Sequence, residues 1–532
     1  MAAAAGIYWQ SRMGNNGDGI GGNCHRYDIV TRNERGGLSQ ATLLVDYGIK
    51  IHNDDPVHRC SFPSPEGLFA PRDAPARHRP AEALLLTHCH EDHIGALRHA
   101  IDMGYRLPPI HCSAFTAQMV DKSLTRAGIL DDSLRPPVHV VAPGETVRLA
   151  NADVTFLPVD HLPGAAALLL RSKEATIFHS GDYKFDSSLP LGSRADLAIL
   201  RQIGRQGVDM VISDSTAAGT REKKLSEAEI ERNLTRLLAD QRDRAVIAGL
   251  LGTQLDRLVS LGRAARANGR AVIVTGSSLC DNVKAAERAG LSLEKAIGAE
   301  LLMAPDGRQI TADRALVVTT GAFAQPQAGL TRAAEALPGA LYVDAETTIL
   351  IPQRAIPPVA AAHRAMIENF ERLGARVITA ENAASFGYGP LHQSGHAIAA
   401  DTKLLYTLLK PKQTVAPMHG GPDQIAANGA IAAKLGITPL TLPRNGVRVR
   451  VNQQGAQPLE QEDLPRIGAA ETGRVKQLPR AKPGEGRRPA PPPVYRYDRL
   501  DQQGGQIVAQ DIAPYRGPTR LPARAGGRES GR

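Results

Sequence analysis

An apolar run, Leu84-Leu85-Leu86, gives way to Thr87-His88-Cys89-His90-Glu91-Asp92-His93, so that three imidazoles and the Asp92 carboxylate stand within six residues. Alternate residues of a strand share a face, and the turn that follows swings the next side chains round to the same point. Imidazoles joined by a carboxylate at one strand end are the donors of a divalent-metal site. A merely solvated turn has no need of this spacing. By the same alternation Cys89 points away from its two histidine neighbours and is not expected to be a ligand.

Other candidate donors are scattered along the chain. They are His161 after Val159-Asp160, Asp182 in His179-Ser180-Gly181-Asp182-Tyr183-Lys184, Asp214 in Ser213-Asp214-Ser215-Thr216, His396 in Gln393-Ser394-Gly395-His396-Ala397, and His419 in Pro417-Met418-His419-Gly420-Gly421. A lone histidine at a strand end is more often packed than ligating. In the company of the first cluster these residues read as parts of one site.

The elements that must position them follow from periodicity. Residues 42–48, 83–88, 154–161 and 175–182 read as strands, each ending at a candidate residue. From residue 208 the rhythm changes to strand then helix: VDMVISD, a helix opened by Ser226 with Glu229 as capping box, RAVIAGL, a helix from Thr253, then RAVIVTG, ALVVTTG, GALYVDA and ARVITA. Such alternation implies a mainly parallel sheet covered on both faces. Site-like residues return after residue 388, so residues 208–387 are expected to form a domain inserted between residues 1–207 and 388–473. Asn445-Gly446 followed by Val447-Arg448-Val449-Arg450-Val451 reads as a hairpin.

Residues 474–532 are rich in Pro, Gly and Arg and hold 13 Lys/Arg against 5 Asp/Glu, a net 13 − 5 = +8 of the chain's +9. They read as a basic, mostly disordered tail in which residues 495–500 and 506–512 pair as a small hairpin. A basic tail raises affinity for polyanions or serves solubility. A chain of 532 residues exceeds one hydrophobic core. No apolar run approaches the roughly 20 residues of a membrane span, and an odd set of five cysteines forms no disulfide framework. A cytoplasmic protein without a membrane partner is expected.

With these residues in this order, the sequence resembles the metallo-β-lactamase superfamily, within it the β-CASP branch, and most closely the ribonuclease J family. Asp46 in Leu43-Leu44-Val45-Asp46-Tyr47-Gly48 matches the first motif, residues 87–93 the second, His161 the third and Asp182 the fourth. Asp214 matches the acidic residue that opens the β-CASP insertion, and His396 and His419 match its later histidines. LLKPKQTVAPMHGG, residues 408–421, follows the family pattern. The resemblance spans about residues 15–450. It implies an α/β fold: an αββα sandwich with an inserted β-CASP domain, followed here by the disordered basic tail.

The resemblance also implies a ligand set. His88, His90 and His161 would hold one metal, Asp92, His93 and His419 a second, and Asp182 would bridge them. The donors suit two Zn²⁺ ions, with Mn²⁺ compatible. Such a pair binds a hydroxide, lowers its pKa and stabilises charge on a phosphoryl oxygen. Asp92, Asp182, Asp214 and His396 are the candidate catalytic residues, His396 protonating the leaving oxygen or hydrogen-bonding the developing oxyanion. Asp46 and Asp214 would orient ligands.

The implied reaction is hydrolysis of single-stranded RNA, by 5′-to-3′ exonuclease action, endonuclease action or both. Ser394, Gly395, His396, Thr253, Gln254 and Arg257 are the candidate strand-binding residues. The chain departs from the family where the strand is handled. Gly252-Thr253-Gln254-Leu255-Asp256-Arg257 stands for an ASNVHR-like segment, with Asp256 in place of a histidine. Gly276-Ser277-Ser278-Leu279 stands for GRSM, Thr320-Gly321-Ala322-Phe323-Ala324-Gln325-Pro326 for TGSQGEP, and Ala355-Ile356-Pro357-Pro358-Val359-Ala360 for PIPGNE. DNA as substrate, a small-molecule hydrolase, a non-catalytic RNA-binding scaffold and homodimerisation remain alternatives at this point. With 4% aromatics, strand binding is expected to lean on sugar-phosphate contacts more than on base stacking.

Overall fold

A computed structural model of the chain describes residues 4–14, 19–52, 58–149, 151–304, 315–356, 359–440, 445–462, 464–474, 493–500 and 506–508. Two large sheets face each other. The first orders its strands Val138–Val140, Ile110–Cys112, Ala83–Leu85, Leu38–Val45, Cys24–Arg32, Gly6–Met13, Val447–Asn452 and Gly455–Gln461. The second runs Thr146–Leu149, Ala152–Pro158, Ala166–Arg171, Thr176–His179, Met210–Asp214, Thr414–Met418 and Thr438–Pro439.

Strand alternation explains the layering. Trp9, Tyr27, Leu43, Leu85, Val154, Leu168, Ile177, Ile212, Met418 and Val449 fill the space between the sheets. Their strand neighbours Leu44, Leu84, Leu169, Phe178, Val211 and Val415 face outward into a second core. Helices including Ala114–Arg126, Leu197–Gln206, Ala399–Leu409 and Pro422–Lys434 contribute to that core through Phe115, Val120, Leu200, Ile203, Leu405, Leu409 and Ala432. Strands buried on both faces must be apolar throughout, hence Leu84-Leu85-Leu86 and Leu168-Leu169-Leu170. The result is the αββα sandwich.

The inserted domain has a six-stranded sheet, in the order Leu301–Ala304, Ala271–Thr275, Ala315–Thr320, Ala245–Leu250, Thr347–Ile351 and Arg376–Thr379, with every pairing parallel. The expected helix opens at Ser226, whose hydroxyl accepts from the Glu229 N–H while the Glu229 carboxylate takes the Ser226 N–H.

Four expectations differ from what is seen. The strand Met210–Asp214 does not open the insertion; it lies between Thr176–His179 and Thr414–Met418 in the sandwich, so the inserted sheet starts at Ala245. GALYVDA forms no strand. Its Tyr342 is 82% exposed, and the strand forms instead over the wholly buried Thr347–Ile351. Asn445-Gly446 is not the hairpin turn, because Val447–Asn452 turns into Gly455–Gln461 through residues 452–455.

The tail is not wholly without structure. Arg466–Arg474 pairs antiparallel with Cys60–Pro63 on one side and Pro493–Leu500 on the other, and Gln506–Val508 continues that sheet. The exposed edge of the Cys60–Pro63 strand supplies the backbone groups that this pairing satisfies. Of the small hairpin expected between 495–500 and 506–512, Arg499 pairs with Val508 and Leu500 with Gln506. Residues 475–492, 501–505 and 509–532 of that tail, and Pro357 and Pro358, lie outside the described residues.

Candidate metal centre

Parallel strands end at the same edge of a sheet. Ala83–Leu85 in one sheet and Thr176–His179, Met210–Asp214 and Thr414–Met418 in the other each carry donors just past that edge. Ala152–Pro158, two antiparallel pairings from Thr176–His179, points the same way and leads to His161. Close approach demands unusual backbone. Asp46 and His419 adopt positive φ of 59° and 55°, strain of the kind stored at functional sites. A Cβ on Gly48 would collide with the carbonyl of Asp92.

Asp182 is the hub. Its Oδ2 lies 3.5 Å from His88 Nε2, 3.4 Å from His93 Nε2, 3.7 Å from His161 Nε2 and 3.7 Å from His396 Nδ1, while Oδ1 is 3.0 Å from His419 Nδ1. His90 Nδ1 stands 3.1 Å from both His88 Nε2 and His161 Nε2. His419 Nε2 is 3.1 Å from Asp92 Oδ2. Two groups of donors thus form, His88 with His90, His161 and Asp182, and Asp92 with His93, Asp182 and His419; within each, all donor atoms lie inside 4.8 Å of one another. A third grouping joins Asp182, Asp214, His396 and His419.

Asp182 Oδ2 is buried without a hydrogen-bond partner, although imidazole nitrogens surround it. A buried carboxylate oxygen left so is costly, and a cation between it and those nitrogens removes the cost. The donor set therefore fits divalent metal.

The local electrostatics agree. Burial drives His88 well below the ordinary imidazole range, His90 to about 4 and His161 to about 3, which leaves three lone pairs for a cation. Burial alone would raise the carboxyls of Asp92, Asp182 and Asp214, but the imidazoles around them outweigh it and hold all three below the usual range, Asp214 at about 2. Burial opposes a charge on His93, His396 and His419. The neighbouring carboxylates overcome it and raise all three, so a cation competes with protons at His93 and His419.

Orienting bonds surround the donors. Asp46 accepts from the Thr87 N–H and hydroxyl, both at 2.8 Å, and its Oδ2 lies 2.7 Å from His93 Nδ1. The Gly395 carbonyl is 2.6 Å from His161 Nδ1, and Asp214 Oδ2 is 2.9 Å from His396 Nδ1. His90 Nε2 lies 3.0 Å from Thr253 Oγ1 of the inserted domain. Sequence reasoning missed Asn23, whose Nδ2 is 3.0 Å from His93 Nε2, and Thr216, whose hydroxyl donates to the His419 carbonyl at 2.9 Å. Both follow or precede glycine-rich or polar turns that carry no ligand pattern of their own. Cys89 packs in the outer core and belongs to neither donor group.

The centre opens into a cleft of about 2060 Å³ lined by residues of both sandwich and insertion, among them His90, Asp92, His161, Asp182, Thr253, Gln254, Ser394, Gly395 and His396. Arg257 is absent from it. That side chain is 5% exposed; Nε and Nη2 donate to Glu227 at 2.6 and 3.0 Å, and Nη1 to the carbonyls of Pro352 and Leu391, both at 2.8 Å. With these donors committed, Arg257 holds the domain junction and is not a strand-binding residue. Behind His396 a second cavity of about 210 Å³ is lined by Lys184, Lys223, Lys224, Arg354, His392 and Ser394, among others.

Residues 59–237 match the β-lactamase superfamily domain, and residues 242–370 match the β-CASP domain of ribonuclease J. Ribonuclease J of Mycolicibacterium smegmatis is 31% identical over 372 residues, 69% of this chain and 64% of that protein. This chain thus spans just under two thirds of that relative's length. Ribonuclease J of Sinorhizobium meliloti is 29% identical over 80% of this chain and 74% of its own, and that of Pyrococcus abyssi 29% over 71% and 84%. Among solved structures, a protein of unknown function from Enterococcus faecalis V583 superposes with a TM-score of 0.57 over 84% of this chain and 100% of its own. At 14% identity it shows the shared fold.

Proposed function

We propose, for a chain that belongs to the β-CASP branch of the metallo-β-lactamase superfamily, hydrolysis of phosphodiester bonds in single-stranded RNA. One observation carries this reading: six donor residues gather round Asp182 in the wall of a cleft of about 2060 Å³ that both domains line. Relatives named ribonuclease J over most of the chain point to RNA as the strand. Among the described residues no helix is long and apolar enough to cross a membrane, and all five cysteines are buried and unpaired, which suits a cytoplasmic RNA-processing enzyme.

His88, His90, His161 and Asp182 would hold one divalent cation, and Asp92, His93, His419 and Asp182 the other, with Zn²⁺ the best match to the imidazole-rich set and Mn²⁺ the alternative. The cations supply Lewis acidity and a water acidic enough to ionise near neutral pH. The chain's own groups do the rest. His396, beside the ligands, would give a proton to the leaving oxygen. Asp214 fixes that ring at 2.9 Å. Burial of Asp182, His88, His93 and His419 strengthens the interactions among them.

The cavity beside His396 is lined by Lys184, Lys223, Lys224 and Arg354 and also by Glu222 and Asp401, which pair with Arg354 and Lys224; a terminal 5′ phosphate taking the place of those carboxylates would favour 5′-to-3′ exonuclease action. The test is an assay of metal-loaded protein on matched RNA and DNA strands carrying 5′ monophosphate, triphosphate or hydroxyl ends. Mononucleotides released from the 5′ end of monophosphorylated RNA are the expected product. Cleavage of DNA with RNA spared, or no cleavage of either strand, overturns the reading.

A further inference from the structure

We infer that Thr253, on the inserted domain, is a positioning residue for the metal ligand His90, so that the placement of that domain sets the affinity of the first metal position. The inference rests on the dimetal reading above and extends it to how the two domains cooperate.

His88, His90, His93 and His161 each have one nitrogen facing the donors and one facing outward, whereas both nitrogens of His419 face carboxylates of the centre. The outward nitrogen needs a fixed partner, because that bond decides the tautomer and the direction of the ring. For His88 the partner is the Thr87 hydroxyl at 3.1 Å, for His161 the Gly395 carbonyl at 2.6 Å, and for His93 the Asp46 carboxylate at 2.7 Å. All three belong to the sandwich. His90 differs. Its Nδ1 faces His88 and His161, and its Nε2 meets Thr253 Oγ1 at 3.0 Å. With the Nδ1 lone pair given to a cation, Nε2 carries the proton and donates it to the threonine hydroxyl.

Thr253 sits in the turn between the strand Ala245–Leu250 and the helix Leu255–Ala267. That turn is held by contacts that reach back to the sandwich. The Gly252 carbonyl accepts from Asn282 Nδ2 at 2.8 Å, and Asn282 Oδ1 accepts from Lys122 on the sandwich helix Ala114–Arg126. Asp256 Oδ1 accepts from the Leu191 N–H at 2.9 Å. A shift of the inserted domain therefore moves Thr253 away from His90. Since both domains line the cleft, a strand bound there and the first metal are linked, each changing the other's affinity by the same factor.

The test uses the full chain, stripped of metal by dialysis against chelator and titrated with Zn²⁺ under chelator competition, without RNA. Thr253→Val keeps the shape and removes the acceptor; we expect one of two Zn²⁺ ions to bind about 10- to 100-fold more weakly and the other unchanged. Thr253→Ser keeps the hydroxyl and restores the affinity. If Thr253→Val does not fold, as read by its melting curve without metal, Thr253→Ala replaces it. Wild-type affinity at both positions in the valine or alanine protein overturns the inference, as does a serine protein as weak as the valine one. Because no RNA is present, a chain that fails to cleave RNA leaves this result standing, whereas unchanged Zn²⁺ binding in a variant that still cleaves RNA overturns this inference alone.

Discussion

The metal edge of the sandwich and the junction with the inserted domain use the same kinds of residue to opposite ends. At the edge, His88, His90, Asp92, His93, His161, Asp182 and His419 gather donor atoms into two sets that share the Asp182 carboxylate. At the junction, Glu227, Arg257 and Asp256 are as deeply buried, yet their bonds go to one another and to backbone. Arg257 spends its guanidinium on Glu227 and two carbonyls, and Asp256 on the Leu191 N–H. Burial of charge marks both places, and only the direction of the polar atoms separates chemistry from architecture.

Substitutions can break or sharpen this contrast. The largest effect on rate outside the ligands is expected from His396→Ala. Loss of a proton donor costs about 10²- to 10⁴-fold in kcat, with both metals retained; kcat within twofold or so of wild type would remove His396 from the chemistry. Arg257→Met strands Glu227 without its partner. Breaking a buried pair in this way costs about 3–5 kcal/mol, read by chemical denaturation, while KM for RNA in the folded fraction stays put. A normal melting curve with a raised KM would return Arg257 to the strand-binding residues.

A third effect concerns pH. Burial pushes the Asp256 carboxyl up to about 7, so the folded chain keeps a proton that the unfolded chain releases near pH 3.9 or so. Where the folded state binds more protons, stability falls as pH rises. Asp256 should therefore contribute a loss of stability between roughly pH 4 and pH 7, set against the gain over the same range from His88, His90 and His161, which burial holds below the ordinary imidazole range; Asp256→Asn should remove that loss and so make the profile rise more steeply there. An unchanged profile would assign the loss to other groups.

The same contrast explains what was legible in the sequence. The edge was readable because each donor stands just past an apolar strand, and strand ends are visible as composition. The β-CASP alternation was readable from period and caps, as with Ser226 and Glu229. The junction was not, because nothing local to Arg257 says that Glu227, 30 residues earlier, will meet it. Met210–Asp214 reads as part of the insertion yet lies in the sandwich for a related reason: a buried parallel strand carries no mark of which sheet it joins. Residues 495–500 were legible as a strand, but Arg466–Arg474 and the sheet that joins the two were not, since their order comes from pairing on the Cys60–Pro63 strand.

Metal content measured together with activity is the most direct test of the centre. Purified active protein should carry two divalent transition-metal ions per chain, lose RNA cleavage as chelator removes them and regain it on refilling, with His90→Ala holding fewer ions and cleaving nothing. Undiminished cleavage by protein shown by elemental analysis to contain no such metal would contradict the assignment.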